Sequence, residues 1–250
     1  MQDLLKNKFA VVTGGSSGVG LASAALFANA GALVCIVGRN QTKLAGAADQ
    51  IGHDCQWFST DLAHEAGARS LAEYLRDLTP RGIDILFANA GSSNAEELLN
   101  TDEDSFDRVI NANLKSAFFT ILACQPLLAS SASVILTSSV AYHRGTLGDP
   151  LYSAAKAAVR ALGRSFAALP EFLDRTIRVN TLSLGAVSTP MTGGDQTREG
   201  ALDAWASNNI PMRRWADANE AAGAALFLAS PSSGYMTGAE LAVDGGLAQV

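Results

Sequence analysis

Sulfur and imidazole are both scarce in this chain. Three cysteines (Cys35, Cys55, Cys124) and three histidines (His53, His64, His143) are scattered over 250 residues, with none of the spacings that hold zinc. That pattern disfavours a disulfide framework and a metal-dependent mechanism, so the expected metal complement is none. Cys35 and Cys55 fall in segments that read as strands, where a thiol packs as a small apolar group. No stretch approaches the roughly 18 consecutive apolar residues of a membrane span. Residues 1–8 lack the apolar core of a signal peptide, so no membrane partner is expected and the expected location is cytoplasmic. Basic excess is missing as well. A net charge of −6 and a pI near 5.0 argue against a nucleic-acid partner, which would need a cationic patch.

Linkers, charge blocks, low-complexity tracts and internal repeats are also absent. Because the informative motifs run from Gly14 to Gly246 without such a break, the whole span 1–250 reads as a single domain. Short apolar segments recur near 9–13, 33–38, 55–58, 83–88, 133–139, 177–182 and 240–243, with helical periodicity between most of them. Strands separated by helices imply right-handed crossovers. The expected fold is therefore α/β: a Rossmann-type, doubly wound, mainly parallel sheet with helices on both faces. Ligands of such sheets bind beyond the carboxyl ends of the strands. Gly14, Arg39, Asp61, Asn89, Ser139 and Gly185 all sit at or just past predicted strand ends, so they converge on one edge.

The first strand runs into Thr13-Gly14-Gly15-Ser16-Ser17-Gly18-Val19-Gly20 and then a helical pattern. This arrangement delivers backbone N–H groups and a helix dipole to a pyrophosphate. The glycines fall as Gly14-x3-Gly18-x-Gly20, and the Lys-Ser/Thr ending of a P-loop is missing, which disfavours an NTPase. Read alone, the same turn serves as a tight strand-to-helix connection. After the second strand comes Gly38-Arg39-Asn40, and no Asp or Glu occurs between Leu33 and Ala48. A carboxylate there would hold the ribose hydroxyls of NAD, whereas a guanidinium suits the 2′-phosphate of NADP. The alternative for Arg39 is a solvated residue at a helix start.

Tyr152, Lys156 and Ser139 form the third pattern. If residues 151–169 are helical, as Leu151, Ala155, Val159, Leu162 and Phe166 suggest, a four-residue spacing puts phenol and ammonium on one face. A nearby positive charge favours the phenolate, and Lys156 is expected to lower the Tyr152 pKa in this way. Ser139 would donate to a substrate oxygen where negative charge develops. An ordinary amphipathic pair and a strand-end serine are the plain alternatives.

Together with Asp61-Leu62, Asn89-Ala90-Gly91, Asn113-Leu114, Ile177-Arg178-Val179-Asn180, Thr189-Pro190 and Val243-Asp244-Gly245-Gly246, these motifs resemble the short-chain dehydrogenase/reductase family, in particular its bacterial NADP-dependent alcohol dehydrogenases and ketone reductases. The likeness covers almost the whole chain. Ala88 and Leu184 depart from it, standing where the family commonly has Asn and Pro. The resemblance implies an NADP(H)-dependent oxidoreductase that interconverts a ketone and a secondary alcohol, with catalytic residues Asn113, Ser139, Tyr152 and Lys156 and with Tyr152 as general acid/base. The implied cofactor site comprises Gly14, Ser16, Ser17, Gly18, Val19, Gly20, Gly38, Arg39, Asn40, Asp61, Leu62, Asn89, Ala90, Gly91, Tyr152, Lys156, Gly185, Val187 and Thr189.

By the same resemblance Asp61 accepts from the adenine amino group, the Asn89 turn lies against the adenosine ribose, and Thr189 holds the nicotinamide carboxamide. Asn113 would lie in a locally distorted helix whose backbone carbonyl holds a water leading to Lys156. From the residues alone, Asp61 equally reads as the N-cap of a helix near His64, Asn89 as a strand-exit turn, Thr189-Pro190 as a helix start and Asn113 as a surface amide. A homotetramer is the family expectation, built on helices that include 101–129 and 151–169, with Ala154, Ala157, Ala158 and Ala161 permitting close approach.

Two rival functions have some footing. A serine hydrolase would use Ser139, His143 and Asp149, but Ser139 lacks the Gly-x-Ser-x-Gly elbow. A non-catalytic NADP-binding protein would have no need of Ser139, Tyr152 and Lys156 together. The small-molecule substrate is framed by 186–215, read as a lid with Gly193-Gly194 as hinge. Met191, Leu202, Trp205, Ile210, Met212 and Trp215 are candidate apolar walls or, one by one, packing residues. An apolar ketone or alcohol follows if several line the pocket. A 3-oxoacyl thioester is the alternative, with Arg198, Arg213 or Arg214 meeting an acidic carrier.

Overall fold

Every residue of Phe9–Thr13, strand β1, is buried, as expected of a strand covered on both faces. The computed structural model describes residues 3–93, 98–144, 149–193 and 201–250. The further strands are β2 (Leu33–Gly38), β3 (Gln56–Ser59), β4 (Ile83–Ala88), β5 (Leu128–Ser139), β6 (Arg178–Leu184) and β7 (Glu240–Val243). They form one sheet in the order β3-β2-β1-β4-β5-β6-β7, and every pairing is parallel.

Helices α1 (Gly18–Asn29), α2 (Gln41–Ile51), α3 (Glu65–Leu78), α4 (Glu103–Ile110), α5 (Ser116–Cys124), α6 (Pro150–Ala167), α7 (Pro170–Leu173), α8 (Ala201–Asn209) and α9 (Ala218–Ala229) fill the crossovers. Alternation along the strands sends neighbours to opposite faces. Val12 and Ile36 join Phe27, Leu44 and Leu226 beneath α1, α2 and α9. Val11 and Val37 join Leu71, Ile121 and Val159 beneath α3, α5 and α6. Strand order reverses between β1 and β4, which are hydrogen-bonded neighbours, and the crevice of a doubly wound sheet opens at that switch point.

Three boundaries differ from the sequence reading. β5 begins at Leu128 because Leu128 pairs with Ile83 of β4, with an irregularity before the main register resumes at Ser133; the intervening run, Ala129-Ser130-Ser131-Ala132, has only small side chains and carries no strand-like apolar signal. Cys55 lies just outside β3, half-buried, with its N–H closing a turn onto the Gly52 carbonyl at 3.0 Å. The stretch 101–129 is not one continuous helix: a π-helical turn, Asn111–Lys115, separates α4 from α5. Among the described residues, no helix is long and apolar enough to cross a membrane.

Candidate active site

The glycine turn leaves β1 through Gly14, whose φ of +66° favours a residue without a side chain. Gly20 answers to a different constraint: a Cβ there would stand 2.2 Å from the Gly14 carbonyl oxygen, so α1 packs directly on the turn. Ser17 precedes α1 in extended conformation without a side-chain cap. The first-turn N–H groups of α1 are therefore left to an outside acceptor, the condition for anion binding at a helix start.

Beside the turn, Thr13 Oγ1 accepts from the N–H groups of Asn89 at 2.9 Å and Ala90 at 3.0 Å. Asn89 Nδ2 donates to the Thr13 carbonyl at 3.1 Å, and Thr137 Oγ1 donates to Asn89 Oδ1 at 3.1 Å. Asn89 thereby braces the ends of β1, β4 and β5. Thr13 and Thr137 escaped the sequence reading as site residues because a threonine near a strand end looks like any β-former.

A cleft of about 470 Å³ runs from this turn across the strand ends, within the size range of small-molecule and cofactor sites. Of the expected cofactor residues, Gly14, Ser16, Ser17, Gly18, Val19, Gly20, Gly38, Arg39, Asp61, Leu62, Asn89, Ala90, Gly91, Gly185, Val187 and Thr189 all line it, as do Asn113, Ser139, Tyr152 and Lys156. Asn40 does not: its side chain caps α2, with Oδ1 accepting from Lys43 N at 2.9 Å. Asp61 is not the cap of α3, a position held by His64. Its Oδ1 accepts instead from Ala63 N at 3.0 Å in a local turn. Arg39 is exposed at the cleft edge, and its carbonyl accepts from Ser59 Oγ at 3.1 Å. Thr189 precedes a short 3₁₀ turn, Pro190–Thr192, and faces Gly18, where a Cβ would meet its side chain at 3.1 Å.

At the inner end, Lys156 is 3% exposed and its Nζ donates to the Thr137 carbonyl at 3.1 Å. Burial pushes this ammonium down to about 8. The Ser138 hydroxyl donates to the Lys156 carbonyl at 2.7 Å, fixing α6 against β5. Asn113 lies within the π-helical turn, buried rather than on the surface. Its Nδ2 donates to the carbonyls of Ser92 at 2.8 Å and Val109 at 2.9 Å, and its Oδ1 accepts from Ser92 N at 3.2 Å. With the side chain occupied in this way, the wide turn determines how the local backbone is presented. Gly91 is hemmed in by the same groups: a Cβ would lie 2.8 Å from Asn113 Oδ1 and 3.2 Å from Lys156 Nζ.

The expected effect of Lys156 on Tyr152 is not what the protein alone produces. Lys156 Nζ sits 5.6 Å from the centroid of the Tyr152 ring. The Tyr152 pKa is raised, because burial outweighs the hydrogen bond to Ser139 that lowers it. The helical spacing put both groups on one face but carried no information about desolvation. Ser139 Oγ also accepts from Ala141 N at 3.2 Å and so starts the 3₁₀ turn Val140–Tyr142. The serine-hydrolase arrangement does not form: His143 Nε2 lies 3.3 Å from Glu240 Oε1, and Asp149 caps α6 through Leu151 N at 2.9 Å.

A second cleft, about 340 Å³, adjoins Ser139 and is lined by Val140, Ala141, Leu184, Gly185, Ala186, Thr192, Trp205, Trp215 and Leu247. Trp205 and Trp215 stand 6.0 Å apart between ring centroids, and none of these residues is charged. Of the other expected walls, Met191 borders the larger cleft. Ile210 is buried in a core cluster with Val140, Ala206 and Leu247, and Met212 is exposed and packs near Gly245. Gly193 ends the Pro190–Thr192 turn in left-handed conformation, φ +91°. Gly194, Arg198 and the side chain of Leu202 lie outside the described residues. Arg214 is held by Glu220 through two hydrogen bonds of 2.7 Å.

Residues 14–248 match a family model described as enoyl-(acyl carrier protein) reductase. The chain is 35% identical over 252 residues to the 3-oxoacyl-acyl-carrier-protein reductase of Chlamydia pneumoniae, covering 99% of each. It is 34% identical over 255 residues to the NADP-dependent (R)-specific alcohol dehydrogenase of Lentilactobacillus kefiri, covering 98% of each. A solved structure described as a Pseudomonas aeruginosa RhlG/NADP active-site complex superposes with a TM-score of 0.91 at 36% identity, covering 99% of this chain and 100% of that one.

Proposed function

The chain belongs to the short-chain dehydrogenase/reductase family and is thus an oxidoreductase; from that premise we propose that it interconverts an apolar ketone and a secondary alcohol using NADP(H), with Tyr152 as the acid/base. The observation that carries the reading is the sharing of one cleft by a helix-start anion site, Arg39 at its rim, and Ser139, Tyr152 and Lys156 at its inner end. The residues fit the cofactor. The unsatisfied N–H groups of α1 suit its pyrophosphate, Arg39 suits a 2′-phosphate, and Gly91, where a Cβ would crowd Asn113 and Lys156, lines the same cleft as Tyr152 and Lys156. When bound, the nicotinamide supplies or accepts the hydride.

The protein handles the proton. A phenol whose pKa burial has raised is protonated at neutral pH and ready to donate, the state that ketone reduction requires. Ser139 Oγ donates to the substrate oxygen and steadies the charge that develops there. Lys156, near 8, is mostly cationic at pH 7. It offsets phenolate charge once Tyr152 has given up its proton, and the π-helical turn at Asn113 links this lysine to solvent for reprotonation. The uncharged second cleft between Trp205 and Trp215 receives the apolar substituent.

The second reading, reduction of a 3-oxoacyl thioester, is favoured by the similarity to the Chlamydia pneumoniae reductase. The pairing of Arg214 with Glu220 withdraws one guanidinium from meeting an acidic carrier. NADPH consumption measured by absorbance over a panel of ketones and acyl thioesters separates the two. Ketone turnover with no thioester turnover is expected. Thioester preference would replace the substrate class, and no turnover of any carbonyl would overturn the reading.

A further inference from the structure

We propose that Glu240 is a positioning residue for the reaction centre, its carboxylate locking the turn after Ser139 to the helix that carries Tyr152 and Lys156. The proposal rests on the oxidoreductase reading of that centre. Four side chains from three parts of the fold converge on this one carboxylate, Tyr142 and His143 being neighbours in the chain. Tyr142 donates its hydroxyl to Oε1, Ser183 Oγ donates to the same oxygen at 2.6 Å, and His143 Nε2 approaches it at 3.3 Å. Arg160 Nε donates to Oε2 at 3.0 Å. Glu240 opens the edge strand β7, Ser183 lies in β6, Tyr142 ends the 3₁₀ turn that Ser139 begins, and Arg160 stands four residues beyond Lys156 on α6.

The chain of contacts reaches the chemistry at both ends. Ser139 Oγ is oriented by the Ala141 N–H, and the Ala141 carbonyl accepts from Ser153 Oγ at 3.4 Å, beside Tyr152. One residue later, Tyr142 is held by Glu240. Burial pushes the Glu240 carboxyl up, but the hydrogen bonds from Ser183, Tyr142, His143 and Arg160 outweigh it and hold the group at about 2. Burial and the adjoining carboxylate push Tyr142 up to about 12. Across the neutral range one partner is therefore a fixed acceptor and the other a fixed donor. β7 needs none of this to pair, since its register with β6 is made by the backbone. A partly buried ion pair is also weak evidence for a stability role. Catalytic groups, by contrast, lose rate steeply when displaced by a fraction of an ångström.

Glu240→Gln keeps the shape but replaces one acceptor oxygen with a donor. In the purified full chain we expect kcat to fall at least tenfold while the KM for NADPH stays within twofold, because the residues lining the far end of the cofactor cleft do not touch this cluster. Tyr142→Phe should lower kcat in the same direction, and the double variant should lose no more than the worse single one, the signature of one coupled unit. Hydrogen exchange of a peptide covering 139–143 should rise in Glu240→Gln, with the peptide covering 14–20 unchanged. That readout needs no turnover: faster exchange in Glu240→Gln, beside a wild type that reduces no ketone, would support the lock and overturn the proposed function. A folded Glu240→Gln with wild-type kcat and unchanged exchange would overturn the positioning role. So would parallel losses of kcat and cofactor affinity that track the melting temperature. Should Glu240→Gln fail to fold, wild-type kcat in Tyr142→Phe decides against the proposal.

Discussion

Lys156→Met should stabilise the cofactor-free protein while switching it off. The ammonium is 3% exposed, and it donates to the Thr137 carbonyl at 3.1 Å. Burial holds its pKa at about 8 rather than 10.5, which at about 1.4 kcal/mol per pKa unit amounts to roughly 3 kcal/mol of cost for keeping a cation there at pH 7. Methionine fills a similar volume, carries no charge, and forfeits one hydrogen bond worth about 1 kcal/mol. The net gain is about 2 kcal/mol, or roughly 4–8 °C in Tm for a chain of this size.

The sign follows from the direction of the shift. With the folded pKa below the unfolded one, the folded state binds fewer protons than the unfolded state between those values. Wild-type stability is full above about 10.5 and is lost as pH falls through about 8. The advantage of the methionine variant should therefore be widest at pH 7 and below, and should close as pH approaches 10.5. Thermal or urea unfolding of both cofactor-free proteins at pH 7 and pH 10 measures this. A variant no more stable than wild type at pH 7, or a gap that ignores pH, would refute the claim that the lysine is held at a cost for function.

Tyr152→Phe should reduce turnover by a factor on the order of 10² to 10⁴ while cofactor titration by fluorescence stays near wild type, since the ring remains; a variant that keeps full turnover removes Tyr152 as the acid/base. Gly38→Asp with Arg39→Leu should move the ratio of kcat/KM for NADPH over NADH by at least tenfold, about 1.4 kcal/mol, and a wild type that prefers NADH would show the cofactor assignment to be wrong. A homotetramer is expected through the outer faces of α5 and α6, where Leu122 is exposed and Ala154 and Ala161 present small side chains. Light scattering that returns a mass near the 25.9 kDa chain at micromolar concentration would count against it.

Much of this protein was determined locally. The buried apolar runs, the glycine turn and the helical periods specify a doubly wound parallel sheet, because strand and helix signals depend on short-range sterics and on which face meets a core. The motifs therefore located the carboxyl edge, and the cleft gathers nearly every residue they named. What sequence could not supply was anything dependent on distant neighbours. Asn40 reads as a cleft residue by position, yet its carboxamide closes α2. Lys156 reads as a charge beside a phenol, yet desolvation of both groups decides their proton affinities. Ile210 and Met212 read as pocket walls, yet packing sends one to the core and the other to solvent, leaving Trp205 and Trp215. Glu240 carries no local signal at all. Its donors come from positions 57 to 98 residues away, brought together only when the edge strand, the turn after β5 and α6 close on one another.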